Sequence, residues 1–297
     1  MNFTVRQIEA LLVVARFGSM TRAGRELGIS QPAVSRLLSD LETTLGFKLL
    51  DRRDGRLVPS RETQIIIPDI RRVIQTMDRI EEIGTEIASE SSGHLRVACL
   101  PGFATSHLPQ VVVDFLRDRE GMTLTLEPDR PERIMEWIIG EQYDCGITDS
   151  FEGHPAVESE LVSLRSVCVF PEGHPFETRA SIAPGDLRRE RLIHPRRDSV
   201  FFREMMACFR AAEVEPDLAV ETRQFTAACE LVLRGLGVAI VSAVDAAWYG
   251  DRGLPSRPFE GALRHKISLV RPINKPPSML TLQFLEAFRQ SIEPFRA

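Results

Sequence analysis

The chain has 297 residues, 43% of them hydrophobic and 27% charged, with a net charge of -5, which is the composition of a soluble globular protein with room for two or three domains. That net charge excludes a uniformly basic nucleic-acid coat, yet it is unevenly spread: residues 1–61 hold ten Lys/Arg and six Asp/Glu, a balance of +4, which leaves -9 for the remainder. A small basic module on an acidic body implies one anion-binding part and one larger part with another job.

The opening segment "MNFTVRQIEALLVVARFGS" is interrupted by Arg6, Glu9 and Arg16 and lacks the flanks of a signal peptide. No stretch reaches the roughly 18 apolar residues of a membrane span. Cys99, Cys145, Cys168, Cys208 and Cys229 are odd in number and form no CxxC, so they read as reduced thiols of a cytoplasmic protein.

A first helix is expected from about Thr4 to Phe17, with Ile8, Leu11, Leu12 and Ala15 on its inner stripe and Gly18 ending it. Thr21 to Leu27 reads as a short second helix. Gly28 suits the left-handed residue after a helix end, Ser30 an N-cap and Pro32 a first turn. Val34, Leu37, Leu38, Leu41 and Leu45 then mark the apolar face of a third helix. Its opposite face shows Gln31, Pro32, Ser35, Arg36 and Ser39. Short polar side chains and one Arg at the N-terminal half of the second of two closely joined helices fit a helix-turn-helix, about residues 20–39, whose recognition helix enters the major groove N-terminus first.

"FKLLDRRDGRLVPS" (Phe47–Ser60) reads as a hairpin around Asp54-Gly55 and carries Lys48, Arg52, Arg53 and Arg56. A basic hairpin at this place suits a wing on DNA phosphates. A long helix is expected from about Glu62 to Ala88, where Ile66, Ile70, Val73, Met77, Ile80, Gly84 and Ile87 keep a heptad seam that predicts a helical pair. The segment Ser89–His94 reads as a linker.

From Leu95 the pattern alternates strand and helix: "HLRVACL", "LPQVVVDFLRDR", "MTLTLEP", "PERIMEWIIGEQ", "YDCGITD". Leu161–Phe170 is expected as a further strand, and a second α/β unit follows, ending in "VAIVS". "HKISLVRP" (His265–Pro272) and a closing helix return to the first unit. This predicts two α/β lobes with a ligand cleft between them. The expected division is 1–61 for the winged helix-turn-helix, 62–92 for the dimerising linker helix and 93–297 for an effector domain. Its lobe I takes 93–161 and 267–297, and its lobe II takes 162–266.

The segments "SMTRAGRELGISQPAVSRLLSDLETTLGFKLLDRR", "LRVACLPGFATSHLPQVVVDF", "PEGHPF" and "LVLRGLGVAIV" resemble the LysR-type transcriptional regulators, and the resemblance covers nearly the whole chain. It implies a winged helix-turn-helix, a dimerising linker helix, a periplasmic-binding-protein-like effector domain, and homodimers or homotetramers on promoter DNA, with RNA polymerase as a partner. No cofactor is expected, and no metal, since the two "EGHP" histidines have no ligand-spaced partner. The wing phrase "RRDGRLVPS" is similar to the subgroup that responds to amino acids and opines. Ser242 stands where the family usually has Pro.

Gln31, Pro32, Ser35 and Arg36 are the base-contact candidates, since Gln and Arg pair bidentately with base edges. Ser30, Ser39, Arg52, Arg53 and Arg56 are the backbone-contact candidates. Effector candidates sit at expected strand ends and helix starts: Leu100, Pro101 and Thr105 for a carboxylate, Thr148 and Asp149 for an ammonium, then Arg197, Asp198, Ser199, Gln224, Phe225, Thr226 and Ser242. The expected ligand is a small anion, with amino-acid-like compounds included. Gly235-Leu236-Gly237 follows a helix and precedes a strand, so it is no dinucleotide loop, and the two "EGHP" segments read as turns. GxSxG, P-loop and HExxH patterns are absent, which argues against an enzyme. A plain solute-binding protein is the alternative, opposed by the N-terminal module.

Overall fold

The computed structural model describes residues 3–53, 55–88, 93–151 and 153–297, with the side chains of residues 75, 78–79 and 81–88 left aside. The expected turn residue Asp54, the linker residues 89–92, Glu152 of the first "EGHP" and the side chain of Ile87 lie outside the described residues. The chain divides into two compact units, residues 1–89 and 90–297.

The first unit contains α1 (Val5–Phe17), α2 (Met20–Glu26), α3 (Gln31–Leu45), β1 (Leu50–Arg53), β2 (Arg56–Pro59) and α4 (Arg61–Ala88). Local chemistry sets each boundary. The Gln7 carboxamide accepts the Thr4 N–H at 2.7 Å, and Gly18 closes α1 in the left-handed region at φ 66°. Ser19 caps α2 and Ser30 caps α3 through the N–H groups of Arg22 and Ala33. Between α2 and α3 the backbone passes close: a Cβ on Gly24 would meet the Ile29 carbonyl oxygen at 2.7 Å. Ile8, Leu11, Val14, Ala23, Val34, Leu38, Leu41, Leu49, Leu50 and Ile70 make one buried cluster. Each Val, Leu or Ile side chain among them contributes about 1.5–3 kcal/mol on burial.

β1 and β2 pair antiparallel from Leu50↔Pro59 to Arg53↔Arg56, and the Leu57 N–H donates to the Gly18 carbonyl, which fixes the hairpin to the end of α1. The heptad seam of α4 is divided between two uses. Ile66 and Ile70, joined by Ile74, pack on the unit's own core. Val73, Met77 and Ile80 are exposed at 46%, 43% and 59%.

The second unit contains β3 (His94–Cys99), α5 (Pro101–Thr105), α6 (Leu108–Leu116), β4 (Thr123–Pro128), α7 (Pro131–Ile139), β5 (Cys145–Asp149) and β6 (Val157–Val169). It continues with β7 (Arg191–Pro195), α8 (Val200–Ala211), β8 (Asp217–Thr222), α9 (Phe225–Leu233), β9 (Val238–Ser242), α10 (Ala243–Gly250), β10 (Ser256–Pro258), β11 (Arg264–Pro272) and α11 (Met279–Ile292). The strand order is β4-β3-β5-β11-β6-β9-β7-β8, with β10 beside β6. The β3/β4, β3/β5, β7/β8 and β7/β9 pairs are parallel. Two lobes share the long antiparallel pair β6/β11, in continuous register from Arg264↔Arg165 to Pro272↔Val157. β5 joins β11 at residues 267–270, and β9 joins β6 at residues 166–169. The chain therefore crosses between lobes at the Val162–Arg165 and Arg264–Lys266 stretches.

Strand β6 begins four residues before the expected Leu161. Its first four residues, "VESE", bury only Val157 and are too polar to stand out as a strand, and their pairing with β11 is what makes them one. Helices α5 and α10 and strand β10 were not expected from the sequence. All are short, and α10 follows β9 without a break.

The motif Gly235-Leu236-Gly237 has a packing role. A Cβ on Gly237 would lie 2.1 Å from the Arg191 carbonyl oxygen, so backbone would have to move. Gly237→Ala is expected to destabilise the second unit by about 1–3 kcal/mol or more, read as a lowered unfolding midpoint; a midpoint equal to wild type would show that this approach is soft.

Candidate functional site

The recognition face is built by α3. Val34, Leu38 and Leu41 face inward, which leaves Ser30, Gln31, Pro32, Arg36 and Ser39 exposed and Ser35 half-buried on the other side. Ser30 lends its hydroxyl to the Ala33 N–H, so part of its polarity serves the cap. The Gln31 amide reaches the Met20 sulfur at 3.9 Å, a weak contact that a stronger partner would replace. Among the described residues Arg36 has no carboxylate within ion-pair distance. In the hairpin Arg52, Arg53 and Arg56 are all exposed, and Arg53 stands 4.0 Å from Asp51. A bare guanidinium on the N-terminal half of α3 and a row of arginines on the hairpin can hold base edges and phosphates.

The second site is a cavity of about 400 Å³ between the lobes, a size suited to a small organic molecule. It opens at the carboxyl ends of β3, β5, β7 and β8, where ligands of parallel sheets sit. Of the expected effector residues, Leu100, Pro101, Asp149, Asp198, Ser199, Gln224 and Phe225 line it. Thr105, Thr148, Arg197, Thr226 and Ser242 are not among its lining residues. Thr105 ends α5 rather than starting a helix, because Pro101 takes the first helical position, and its hydroxyl bonds the Pro101 and Gly102 carbonyls. Thr148 and Ser242 are fully buried in strands, with hydroxyls that find no partner among the described residues. Arg197 lies 3.8 Å from Glu221. The Thr226 hydroxyl turns to the Gln224 side chain at 3.4 Å.

The sequence reading missed other wall residues: Phe103, Arg130, Phe201, Glu204, Arg223, Arg264, Lys266, and above all Asp245 and His265. Lys266 pairs with Glu204 at 2.6 Å and Arg196 pairs with Asp198. Arg264 donates to the Gly261 and Leu263 carbonyls. Asp245 on α10 is 3% exposed, and the Ser106 hydroxyl stands 3.1 Å from it. Burial pushes its carboxyl up to about 6, against the opposing pull of nearby His265 and the Ser106 bond. One signal could have marked it: a lone Asp inside the apolar run "AVDAAWYG" just after a strand end.

His154 and His174 each accept a backbone N–H two residues on, as turn residues. No group of His, Cys, Asp and Glu that could hold a metal occurs among the described residues. All five cysteines are free, and burial pushes Cys99 up to about 12 and Cys145, Cys168 and Cys229 higher still, so these four are not nucleophilic thiolates. No described helix is long and apolar enough to cross a membrane.

Residues 5–64 match the bacterial regulatory helix-turn-helix protein profile of the lysR family, and residues 88–293 match the LysR substrate binding domain. The chain belongs to the LysR family. It is a LysR-type transcriptional regulator with a winged helix-turn-helix and a two-lobed domain of the substrate-binding type. It is 32% identical over 281 residues to the transcriptional activator protein LysR of Escherichia coli K12, covering 94% of this chain and 90% of that protein. It is 31% identical over 289 residues to the regulatory protein NocR of Agrobacterium fabrum C58, covering 97% and 96%. Full-length CbnR in complex with its target DNA superposes with a TM-score of 0.79 at 25% identity, covering 97% of this LysR-family chain and all of that one (100%).

Proposed function

We propose that this LysR-type regulator reads promoter DNA through the N-terminal face of α3 and is switched by a small charged effector held between its two lobes. The observation that carries this reading is one chain joining two features. One is the unpaired Arg36 with Gln31 on a recognition helix, and the other is a charged cavity where the lobes meet. In this reading Gln31, Pro32, Ser35 and Arg36 touch bases, while Ser30, Ser39, Arg52, Arg53 and Arg56 hold the backbone. An effector touching Asp149 and Ser199, from opposite lobes, gains its full contacts only in one arrangement of the lobes and so biases a two-state equilibrium. The protein would act in the cytoplasm, on a promoter, beside RNA polymerase. The test is a reporter driven by the chain's own upstream DNA, with effector-cavity and recognition-helix variants compared. Recognition-helix variants should lose regulation outright. Cavity variants should lose only the response to metabolites.

Assembly belongs to the same reading. Val73, Met77 and Ile80 are exposed apolar residues on α4 at heptad spacing, and in a homodimer or homotetramer they would form the seam. Ile80→Lys would bury an unpaired charge there, at a cost of several kcal/mol. Analytical ultracentrifugation should show it dissociating at concentrations where wild type stays assembled. A wild-type distribution for this variant would move the interface off α4.

A further inference from the structure

The wall of the cavity around Asp245 and His265 has a composition that an anion would not favour. Asp245 is 3% exposed and His265 6% exposed, yet both contribute to the cavity lining. The His265 Nε2 lies 3.8 Å from an Asp149 carboxylate oxygen, while its Nδ1 is buried with no partner among the described residues. If Nε2 carries the proton toward Asp149, Nδ1 presents a bare lone pair. Three aromatic rings enclose the imidazole: Phe103 at 6.2 Å, Phe201 at 6.0 Å and Phe225 at 4.9 Å between centroids. An acceptor carboxylate and an acceptor imidazole nitrogen set among aromatic rings together suit one chemistry, a positively charged group with several N–H donors.

We infer that this wall is the seat of an organic cation, an ammonium or guanidinium group of the effector, with Asp245 as its counter-ion. The inference rests on the reading that the cavity binds an effector, and names the charge that effector must carry. Arg130 and Arg223, one from each lobe, also line the cavity and have no carboxylate partner among the described residues. They leave room for an acidic group at the other end of the same ligand.

The proton inventory around Asp245 supports the assignment. The Ser106 oxygen lies 2.9 Å from the Gly102 carbonyl and 3.1 Å from Asp245, but a hydroxyl has a single proton to give. With Asp245 protonated, its O–H donates to Ser106 and Ser106 donates to Gly102, so both bonds are made at once. With Asp245 ionised, one of these bonds is lost and the carboxylate needs another donor. The groups that face it are Ser106 after α5, His265 on β11 and the protonated Cys229 thiol on α9. An arriving cation supplies the missing donor, and the displaced carboxyl proton leaves to solvent.

The test is calorimetry and thermal shift on the full chain with matched probes: L-arginine against L-citrulline, and L-lysine against L-norleucine. Succinate serves as an anionic probe. At least one cationic probe should bind ten-fold or more tighter than its neutral partner. Its binding near pH 5.5 should release protons, seen as a heat that changes with the buffer's ionisation enthalpy. Asp245→Asn should lose ten-fold or more of that affinity. The matched pairs test the assignment on the unmodified chain even if this variant folds poorly. Equal binding of neutral and cationic partners, undiminished binding by Asp245→Asn, or no binding of either cation overturns it. If succinate alone binds and shifts promoter occupancy, the cation falls while the effector-regulator reading stands.

Discussion

Arg36→Ala lowers affinity for the specific DNA site by about ten- to a hundred-fold, on the order of 1–3 kcal/mol, and leaves affinity for random DNA little changed. The expectation follows from placement. Arg36 stands one turn into α3, exposed, on the side opposite Val34, Leu38 and Leu41, and no described carboxylate competes for it. The N-terminal half of a recognition helix is the part that reaches base edges. Because Arg36 lies outside the buried cluster, its removal leaves folding intact and the loss can be assigned to the DNA contact. Arg53 makes the contrast. It sits on the hairpin with Asp51 nearby, so Arg53→Ala should weaken specific and random DNA alike and flatten the salt dependence by the equivalent of about one phosphate contact. Fluorescence anisotropy on both DNAs over a salt series separates the two behaviours. Equal operator affinity for Arg36→Ala and wild type would remove Arg36 from the base-reading set.

Asp245→Asn stabilises the ligand-free protein, by an amount that grows with pH. In the folded chain burial raises the Asp245 carboxyl to about 6 from its ordinary 3.8. Between those values the folded state holds a proton that the unfolded state has released, so stability falls as pH rises through this window. Below about 3.8 the side chain costs nothing on this account; above about 6 the cost is complete. At roughly 1.4 kcal/mol per unit of pKa, the gain from the asparagine is ~1 kcal/mol at pH 4.5 and ~3 kcal/mol at pH 8. Urea denaturation of the variant and wild type at these two pH values measures it. A difference that does not change with pH would mean that Asp245 is already charged and well satisfied without a ligand. A group that destabilises the empty protein while lining its cavity is what a ligand counter-ion should be.

Sequence periodicity read the first unit well because its signals are local. Ser30 caps, Gly18 and Gly28 take the left-handed conformation, and one apolar stripe on α1 and on α3 points inward. The α/β alternation of the second unit was equally legible, since each strand and helix carries its own pattern. The cavity was legible where it lies at a strand end, as with Leu100 and Asp149, or at a helix start, as with Ser199 and Gln224. Asp245 and His265 escaped for a physical reason. Asp245 is a lone acid in an apolar stretch and His265 sits between Arg264 and Lys266 near the start of a strand, and the pairing of β11 with β6, together with the run of α10 off β9, brings them to the gap between lobes. Thr105 ends a five-residue helix started by Pro101 instead of opening one, and so short an element leaves no periodicity to read.

The heptad seam shows a different limit. A repeat of apolar residues on a long helix does not say which partner each will meet. Ile66 and Ile70 meet the helix-turn-helix itself, and among the described residues of the seam Val73, Met77 and Ile80 remain exposed.

The measurement that tests the central claim most directly is an equilibrium titration of the full chain on the DNA immediately upstream of its own coding sequence, against a shuffled sequence of equal length. Both are measured over a salt series, with wild type and Arg36→Ala side by side. The account predicts a preference for the upstream DNA of about a thousand-fold or more, a salt slope of several phosphate contacts, and a preference that falls about ten- to a hundred-fold for Arg36→Ala while the slope persists. Equal affinity of wild type for the two DNAs, or a preference that survives Arg36→Ala unchanged, would contradict it.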